Sequence, residues 1–383
     1  MEKKAVSGIM LTLLVMSMLS LALNIQPAKS DWTWTETIYI RGDGSVDPDT
    51  APISTVDNIT YTLTDNIVGV VLEWSWQACI VIERNNTVVD GAGYTVQGTG
   101  SGIGIDLSGR SNVTIKNMEI EAFEWGIPIW SSSNNTISRN NITANKNGIS
   151  IGSGSYNNTV DRNNIATNEQ SGVRIGETSY NTIFGNDVKN NAQGIWLDSS
   201  SYNTLTENNI RNNTYGISLW SAQNNTISRN DIVNNGKDLG PGYNPAGITF
   251  VGASTNNKII HNNFIDNFMQ VACPWGQNVW DTGYPSGGNY WSDYTGIDAD
   301  GDEIGDTPYV IPYMDQDNYP LMHPWGAPPP AEEGEEVPFW MQWWFFAIVA
   351  GVIVALVGTI YFLRKRKPST APSLSTEQGE RLK

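Results

Sequence analysis

Between residues 104 and 267 apolar residues alternate with polar ones in short runs, and the runs themselves recur. A glycine followed by apolar-x-apolar appears as GIDL at Gly104, GIPI at Gly126, GISI at Gly148, GVRI at Gly172, GIWL at Gly194, GISL at Gly216 and GITF at Gly247, in steps of 22, 22, 24, 22, 22 and 31 residues. A second run keeps the same beat: NNTISRNNI ending at Ile142, NNTVDRNNI at Ile165, NTIFGNDV at Val188, NTLTENNI at Ile210, NNTISRNDI at Ile232 and NKIIHNNF at Phe264. Period-two alternation puts every second side chain on one face of a strand, and self-similarity at this period marks a repeat architecture. At ~3.3 Å per residue one repeat traces about 70 Å of extended chain, enough for a turn of three short strands and three corners stacked ~4.8 Å from the next. Asn pairs and Gly fall between the runs, and both residue types accept left-handed backbone at sharp corners. The expected fold class is all-β: a right-handed, single-stranded parallel β-helix of about 22-residue turns. A leucine-rich horseshoe has a similar period but needs a fixed leucine lattice, and leucine is sparse here.

The flanks of the 383-residue chain divide by composition. Residues 1–30 read as a secretory signal, with Lys3 and Lys4, an apolar run from Ile9 to Leu23, and Ala28-Lys29-Ser30 at the cleavage site; an uncleaved anchor is the alternative. Residues 31–66 are irregular and are expected to cover one end of the coil (67–268), whose unpaired strand edges need protection. Residues 269–326 turn aromatic and acidic, and Trp275, Trp280, Tyr290, Trp291 and Tyr294 are expected to plug the other end as a C-terminal cap. A Pro/Glu linker (327–338) follows. Residues 339–363 carry no charge and are long enough for one transmembrane α-helix, with Trp340, Trp343 and Trp344 at its outer edge and Arg364, Lys365, Arg366 and Lys367 directly after it. The implied localisation is the cell membrane, single-pass, with the β-helix extracellular and the tail (364–383) cytoplasmic.

Charge and cysteine narrow the partners. A net charge of -17, from 39 acids against 22 bases, repels phosphate backbones and argues against nucleic acid. Cys79 and Cys273 fall about eight turns apart, roughly 38 Å at the strand spacing, beyond the ~7 Å that a disulfide spans. Eight Asn-x-Ser/Thr sequons occur, at Asn58, Asn85, Asn112, Asn134, Asn141, Asn157, Asn212 and Asn224. Four precede the T-I run at one offset, so most reflect what the coil demands of its corners, with a few open to glycosylation. The Asn pairs, such as Asn140-Asn141, Asn163-Asn164 and Asn208-Asn209, are expected to form amide ladders along a corner.

The run NNTVVDGAGYTVQGTGSGIGIDLSG, then SNVTIKNMEI and the NNTISRNNI turns, resembles the NosD-type, or carbohydrate-binding and sugar-hydrolase, group of parallel β-helix repeat proteins, from about Thr60 to Asn267. The closing segment is similar to those of archaeal secreted β-helix proteins. The resemblance implies the fold; the same coil carries lyases, hydrolases, epimerases and non-catalytic surface proteins. The family name also suggests copper, which takes imidazole, thiolate or thioether ligands. Against that stand only two histidines, His261 and His323, with Met314 and Met322 near the second.

Counting from each glycine, positions plus one and plus three face the core, which leaves plus two and plus four outside. Stacking then gathers Arg174, Glu177, Trp196, Asp198 and Trp220 on adjacent turns of one face, with Trp130 further along it. Exposed indoles offer platforms for the CH faces of sugars, and carboxylates and Arg bind hydroxyls. Trp130, Arg174, Trp196, Asp198 and Trp220 are therefore the candidate carbohydrate-binding residues, for an extracellular or envelope polysaccharide; cover for the sheet is the other reading of the same indoles. Glu177 and Asp198 are the candidate acids of a glycosidase, and Arg174 the candidate base of a uronate lyase. Asp298, Asp300, Asp302 and Asp306 alternate in a turning loop that suits calcium. The loop resembles thrombospondin type-3 and dockerin loops, except that Glu303 stands where those have Gly and no twelfth-position Glu follows.

Overall fold

The structure, a computed structural model, describes residues 36–326 apart from 71–75, 241–242, 275 and 313–314. The expected signal sequence, linker, membrane helix and tail lie outside the described residues, as do Trp275 and Met314. Among the described residues no helix is long and apolar enough to cross a membrane.

The chain winds as a parallel β-solenoid of about nine turns with three walls of 11, 10 and 10 strands. The glycine runs form the first wall, in strands such as Asn147–Gly152, Ser171–Gly176, Gln193–Asp198 and Tyr215–Trp220. The T-I runs form the second, as in Thr182–Phe184 and Thr204–Thr206, and segments such as Asp187–Lys189 and Asn209–Arg211 form the third. Residues one repeat apart are vertical neighbours: Ile127, Ile149, Val173, Ile195, Ile217 and Ile248 stand in register and are fully buried. Parallel columns from the other walls, Ile137 to Ile259 and Ile142 to Phe264, complete one continuous apolar core. Cys79 and Cys273 are unbonded, the former buried.

The recurring glycines have a steric origin rather than the left-handed one that governs corners. None of Gly104, Gly126, Gly148, Gly172, Gly194, Gly216 and Gly247 has positive φ. A Cβ on Gly148 would lie 2.6 Å from the carbonyl oxygen of Gly172, and one on Gly194 would lie 2.5 Å from that of Gly216 and 2.9 Å from Asn213 Nδ2. Stacked backbone and a buried amide leave no room for a methyl group.

Asparagine builds the corners from inside. At each of the three corners one buried Asn per turn donates through Nδ2 to the Oδ1 of the Asn on the next turn: Asn135 to Asn158 at 3.1 Å, Asn140 to Asn163 at 3.1 Å, Asn145 to Asn168 at 3.2 Å, and so on upward. The same Oδ1 also takes the backbone N–H from the turn below, as Asn163 does from Asn140 at 2.9 Å. In pairs such as Asn140-Asn141 and Asn208-Asn209 the first Asn belongs to a ladder and the second opens the third wall, whereas in Asn134-Asn135 and Asn157-Asn158 the second is the ladder residue. In the regular turns the residue preceding each ladder Asn is left-handed whatever its type, as Asn134, Arg139 and Ala144 show within one turn at φ 58, 54 and 55; at the last turn Gln277 and Gly288, before Asn278 and Asn289, are not. Asn112, Asn157 and Asn224 hold that same position at the first corner, which accounts for the sequon spacing.

The ends depart from the coil. Residues 36–66 supply first strands rather than only a cover: Ile38–Ile40 pairs parallel with Ala78–Ile82, and Thr60–Leu63 with Thr87–Asp90. Each of these carries an antiparallel partner on its outer side, which occupies the exposed edge. At the other end Trp280 and Trp291 are buried. Trp291 stacks on Phe264 at 4.2 Å, and Trp280 lies 6.0 Å from Phe250. Asp317 ends the second ladder, its Oδ2 accepting the Asn289 N–H at 2.7 Å and Trp291 Nε1–H at 3.0 Å.

Candidate functional site

The outer face of the first wall carries the candidate residues in the order that the register dictates. Ser150, Arg174, Trp196, Ser218 and Thr249 form one outward column. Gly176, Asp198, Trp220 and Val251 form the next. Arg174, Trp196, Asp198 and Trp220 therefore meet. Arg174 Nη2 donates to Asp198 Oδ2 at 3.0 Å, and its guanidinium lies 4.6 Å from the Trp196 ring centre. Trp196 and Trp220 pack edge to face at 5.1 Å. Trp130 stands apart, over Gly152, where a Cβ would come within 3.0 Å of its ring. It forms a second aromatic cluster with Trp76 at 5.4 Å and Trp125 at 5.6 Å.

Two grooves flank the Arg174–Trp196 ridge. One, of about 360 Å³, is lined by Trp76, Trp125, Trp130, Ser150, Arg174 and Glu177. The other, of about 310 Å³, is lined by Gln193, Tyr215, Trp220, Tyr243 and Asn244. Simple alternation does not find Trp125, Gln193 and Tyr215, because they sit one residue before the glycine, where counting back from plus two assigns the core. The Cβ direction of the glycine itself is inward, toward the ladder amides, so the alternation breaks there and the preceding residue reaches the outer face. Tyr243 and Asn244 come from the insertion that stretches one repeat to 31 residues. A larger hollow of about 700 Å³ at residues 41–49 is open and polar and lies at the far end of the chain's first turns.

Polar groups on this face are not all satisfied. Ser150 Oγ, Arg174 Nε, Gln193 Oε1 and Trp196 Nε1 are buried without a hydrogen-bond partner. Each such group costs about 1–3 kcal/mol. Four on one stretch of one wall, among seven such atoms in the described residues, single that stretch out.

The candidate acids diverge. Glu177 accepts from Ser153 Oγ at 3.4 Å on the turn below, while Asp198 is engaged by Arg174 and by Ser199 Oγ at 3.2 Å. Arg174 is paired with that carboxylate and stacked on the Trp196 indole.

In the acidic loop one ligand oxygen each from Asp298, Asp300 and Asp302 lies within 4.8 Å of the others. Asp306 is not in that group; its Oδ2 accepts the Ala299 N–H at 2.8 Å and closes the loop. Partial desolvation opposes ionisation of Asp298, but the amides of Glu303, Gly301 and Asp302 outweigh it and hold its carboxyl below the ordinary range. Desolvation and the Asp302 charge push Asp300 the other way. Glu303 has φ 69, the left-handed geometry for which related loops use Gly.

Imidazoles do not converge. His261 stacks on Trp325 at 3.8 Å with its Nε2 against the Ser286 carbonyl at 2.9 Å, and burial lowers its pKa. His323 Nε2 pairs with Glu303 Oε2 at 3.1 Å. Among the described residues the three aspartates form the one cluster of His, Cys, Asp or Glu able to share a metal. Hard carboxylates suit calcium and not copper.

The geometry defines a parallel β-helix with an aromatic, partly unsatisfied outer strip on one wall. The chain belongs to the NosD family, whose model, described as "Periplasmic copper-binding protein (NosD)", matches residues 53–296. The copper of that description finds no fitting donor set among the described residues. No curated protein matches the chain. Solved structures similar to it include the A-module of the mannuronan C-5 epimerase AlgE6 from Azotobacter vinelandii, at 14% identity and TM-score 0.36 over 58% of this chain and 78% of that one. The Dettilon tailspike protein aligns at 15% identity and TM-score 0.41, over 61% and 58%. The DFA-IIIase from Arthrobacter chlorophenolicus A6 aligns at 14% and 0.42, over 59% and 64%. At such scores these likenesses carry no argument about substrate.

Proposed function

We propose that this protein binds carbohydrate of the cell envelope or extracellular matrix along the outer face of its first wall, held at the cell surface by its C-terminal membrane helix. The observation that carries the reading is the strip from Trp130 to Trp220: two aromatic grooves on either side of an Arg174–Trp196–Asp198 ridge, with four unpartnered polar atoms on the same stretch. Aromatic walls meet the apolar faces of a pyranose, and unsatisfied donors and acceptors gain most from its hydroxyls. The grooves sit about three turns apart, roughly 14 Å at the strand spacing, so the strip suits an oligosaccharide lying along the coil axis rather than a single sugar.

The test is retention of envelope and extracellular polysaccharides by the full-length chain. Trp196→Ala and Trp220→Ala should each weaken binding at least tenfold, about 1.4 kcal/mol or more. Unchanged retention of every glycan by both variants removes the reading. Cleavage or epimerisation of the same polymer is the second reading, favoured by Glu177 lining a groove beside Arg174. New reducing or unsaturated ends in the same incubation would establish it. The Asp298–Asp302 loop is proposed to hold a structural calcium ion, through the three carboxylates that already converge.

A further inference from the structure

At the corner between the first and second walls the residue before the ladder Asn changes type on two turns. Its left-handed position is Asn at residues 112, 134, 157, 224 and 256, but on two successive turns it is Tyr180 and Tyr202, with φ 61 and 55. Left-handed backbone is what the coil imposes before a ladder Asn, on Arg139, Arg162 and Glu207 as well, so what sets these two turns apart is the aromatic ring. The two rings stack at 5.4 Å and 10°, yet they remain 60% and 52% exposed, as does Tyr156 beside them at 50%. Stacking therefore orders the rings without burying them.

A hollow of about 450 Å³ runs between Tyr156 and Tyr180 and is lined by Gly154, Ser155, Glu177, Thr178 and Ser179. Glu177 is itself left-handed, at φ 52, and exposed. Its side chain accepts the 3.4 Å hydrogen bond from Ser153 Oγ; Arg174, which shares its groove, pairs with Asp198 instead, and among the described residues no cation pairs with Glu177. The same Glu177 lines the groove of the first wall that holds Trp130. Two aromatic side chains and a carboxylate without a counter-ion around one hollow form the chemistry that receives an organic cation.

We propose that this tyrosine corner is a second subsite, for a sugar unit carrying a free ammonium group. The inference rests on the glycan reading of the adjoining wall and names its substrate class: an amino sugar in a polymer that lies on the first wall and turns its charged substituent onto the corner. The ring packs against Tyr156 and Tyr180, and the ammonium meets Glu177. A lysine-rich peptide would offer the charge without the ring, and the polymer is preferred because Glu177 joins both hollows.

The experiment compares three β-1,4-linked hexamers that differ at the C2 substituent, namely chitosan with free amines, its fully N-acetylated counterpart, and cellohexaose, titrated into the full-length chain by calorimetry. The amine form should bind at least tenfold more tightly than the N-acetyl form. Glu177→Gln should abolish that preference, as should Tyr180→Asn with Tyr202→Asn, a swap to the residue that the coil already uses at this corner. That swap writes new Asn-x-Thr sequons, so the protein is made in a host without N-glycosylation. Asp49→Asn, an exposed acid away from the corner, controls for attraction by the net charge and should leave the preference intact. Equal affinity for the amine and N-acetyl forms, a preference that survives Glu177→Gln, or equally tight binding of oligolysine overturns the proposal. If cellohexaose binding still depends on Trp220 in that case, the first-wall reading stands alone; if no hexamer binds, the amino-sugar proposal falls and the first-wall reading is decided by the polysaccharide retention test.

Discussion

Replacing Asn208 by Ala is the sharpest test of how the coil is held. Asn208 lies mid-ladder and is 1% exposed. Its Nδ2 donates to Asn230 Oδ1 at 2.9 Å, to Ile183 O at 2.9 Å and to Thr206 O at 3.1 Å. Its Oδ1 accepts the Asn186 N–H at 3.0 Å and Asn186 Nδ2–H at 2.9 Å. After truncation Asn186 Nδ2 keeps Val160 O and Phe184 O as acceptors, and Asn230 Oδ1 keeps the backbone N–H of residue 208. The group stripped in the buried corner is the Asn186 N–H, since the Ile183 carbonyl keeps its place in the parallel strand ladder opposite Leu205. At about 1–3 kcal/mol for a buried group left without a partner, the loss is about 1–3 kcal/mol. Asn209, the next residue, supplies the contrast: its Nδ2 donates to Asp187 Oδ1 at 3.2 Å on the half-buried outer side, so Asn209→Ala should cost under about 1 kcal/mol. Urea unfolding of the two variants measures the difference, and amide hydrogen exchange at Asn186 localises it, which matters because long repeats can lose two-state behaviour. Equal destabilisation by the two variants, or retained protection at Asn186 in Asn208→Ala, would refute the view that buried amides rather than strand pairing alone set the corners.

Three further outcomes follow from single residues. Burial pushes the Asp317 carboxyl up to about 6, against the amide and indole donors that favour its charge. The folded state therefore holds an extra proton between about pH 4 and 6, and stability should fall by about 3 kcal/mol as pH rises through that window. Asp317→Asn should flatten the slope of unfolding midpoint against pH, leaving the smaller contribution of Asp315, whose pKa burial also raises; an unchanged slope assigns it elsewhere. Gly194→Ala should destabilise by more than about 2 kcal/mol, because its methyl would meet the Gly216 carbonyl at 2.5 Å and overpacking at a rigid backbone has little relief; a change within about 0.5 kcal/mol in thermal melting would show that the column is not sterically required. Calcium should raise the melting temperature of the full-length chain, and Asp300→Ala should remove that response; a melting curve indifferent to chelator in the unmodified chain dismisses the ion.

The fold was legible because the coil writes itself in period. Each turn needs the same inward apolar residues, so Ile149, Val173, Ile195 and Ile217 could be stacked on paper before any coordinates existed. The cluster of Arg174, Trp196, Asp198 and Trp220 was legible for the same reason, since register converts sequence offset into contact. What alternation could not supply were Trp125, Gln193 and Tyr215, which reach the outer face where the strand bends at its glycine, and Trp76, which lies outside the regular repeat. The meaning of the glycines was also hidden: a missing Cβ reads alike for a left-handed corner and for a crowded strand. The number of ladders was harder to read because Asn pairs occur at all three corners, as Asn134-Asn135, Asn140-Asn141 and Asn190-Asn191, while the ladder takes the second residue at the first and third corners and the first residue at the second.

The division between scaffold and site follows from where the coil satisfies itself. Three amide ladders and four apolar columns consume the inward positions of every turn, and at those positions residue type hardly varies: Asn at the corners, Ile, Val or Leu in the walls. Outward positions carry no such demand, so a residue there that costs stability needs another reason to stand. Trp196 with an unpartnered indole N–H, Arg174 with an unpartnered Nε, and Tyr180 and Tyr202, whose rings stack yet stay exposed, are residues of that kind. They occupy one wall and its adjoining corner, on turns next to one another. Unpartnered polar atoms and bare rings scattered over the outer surface would argue for nothing; gathered around two aromatic grooves and a tyrosine corner, they mark where a ligand meets this coil.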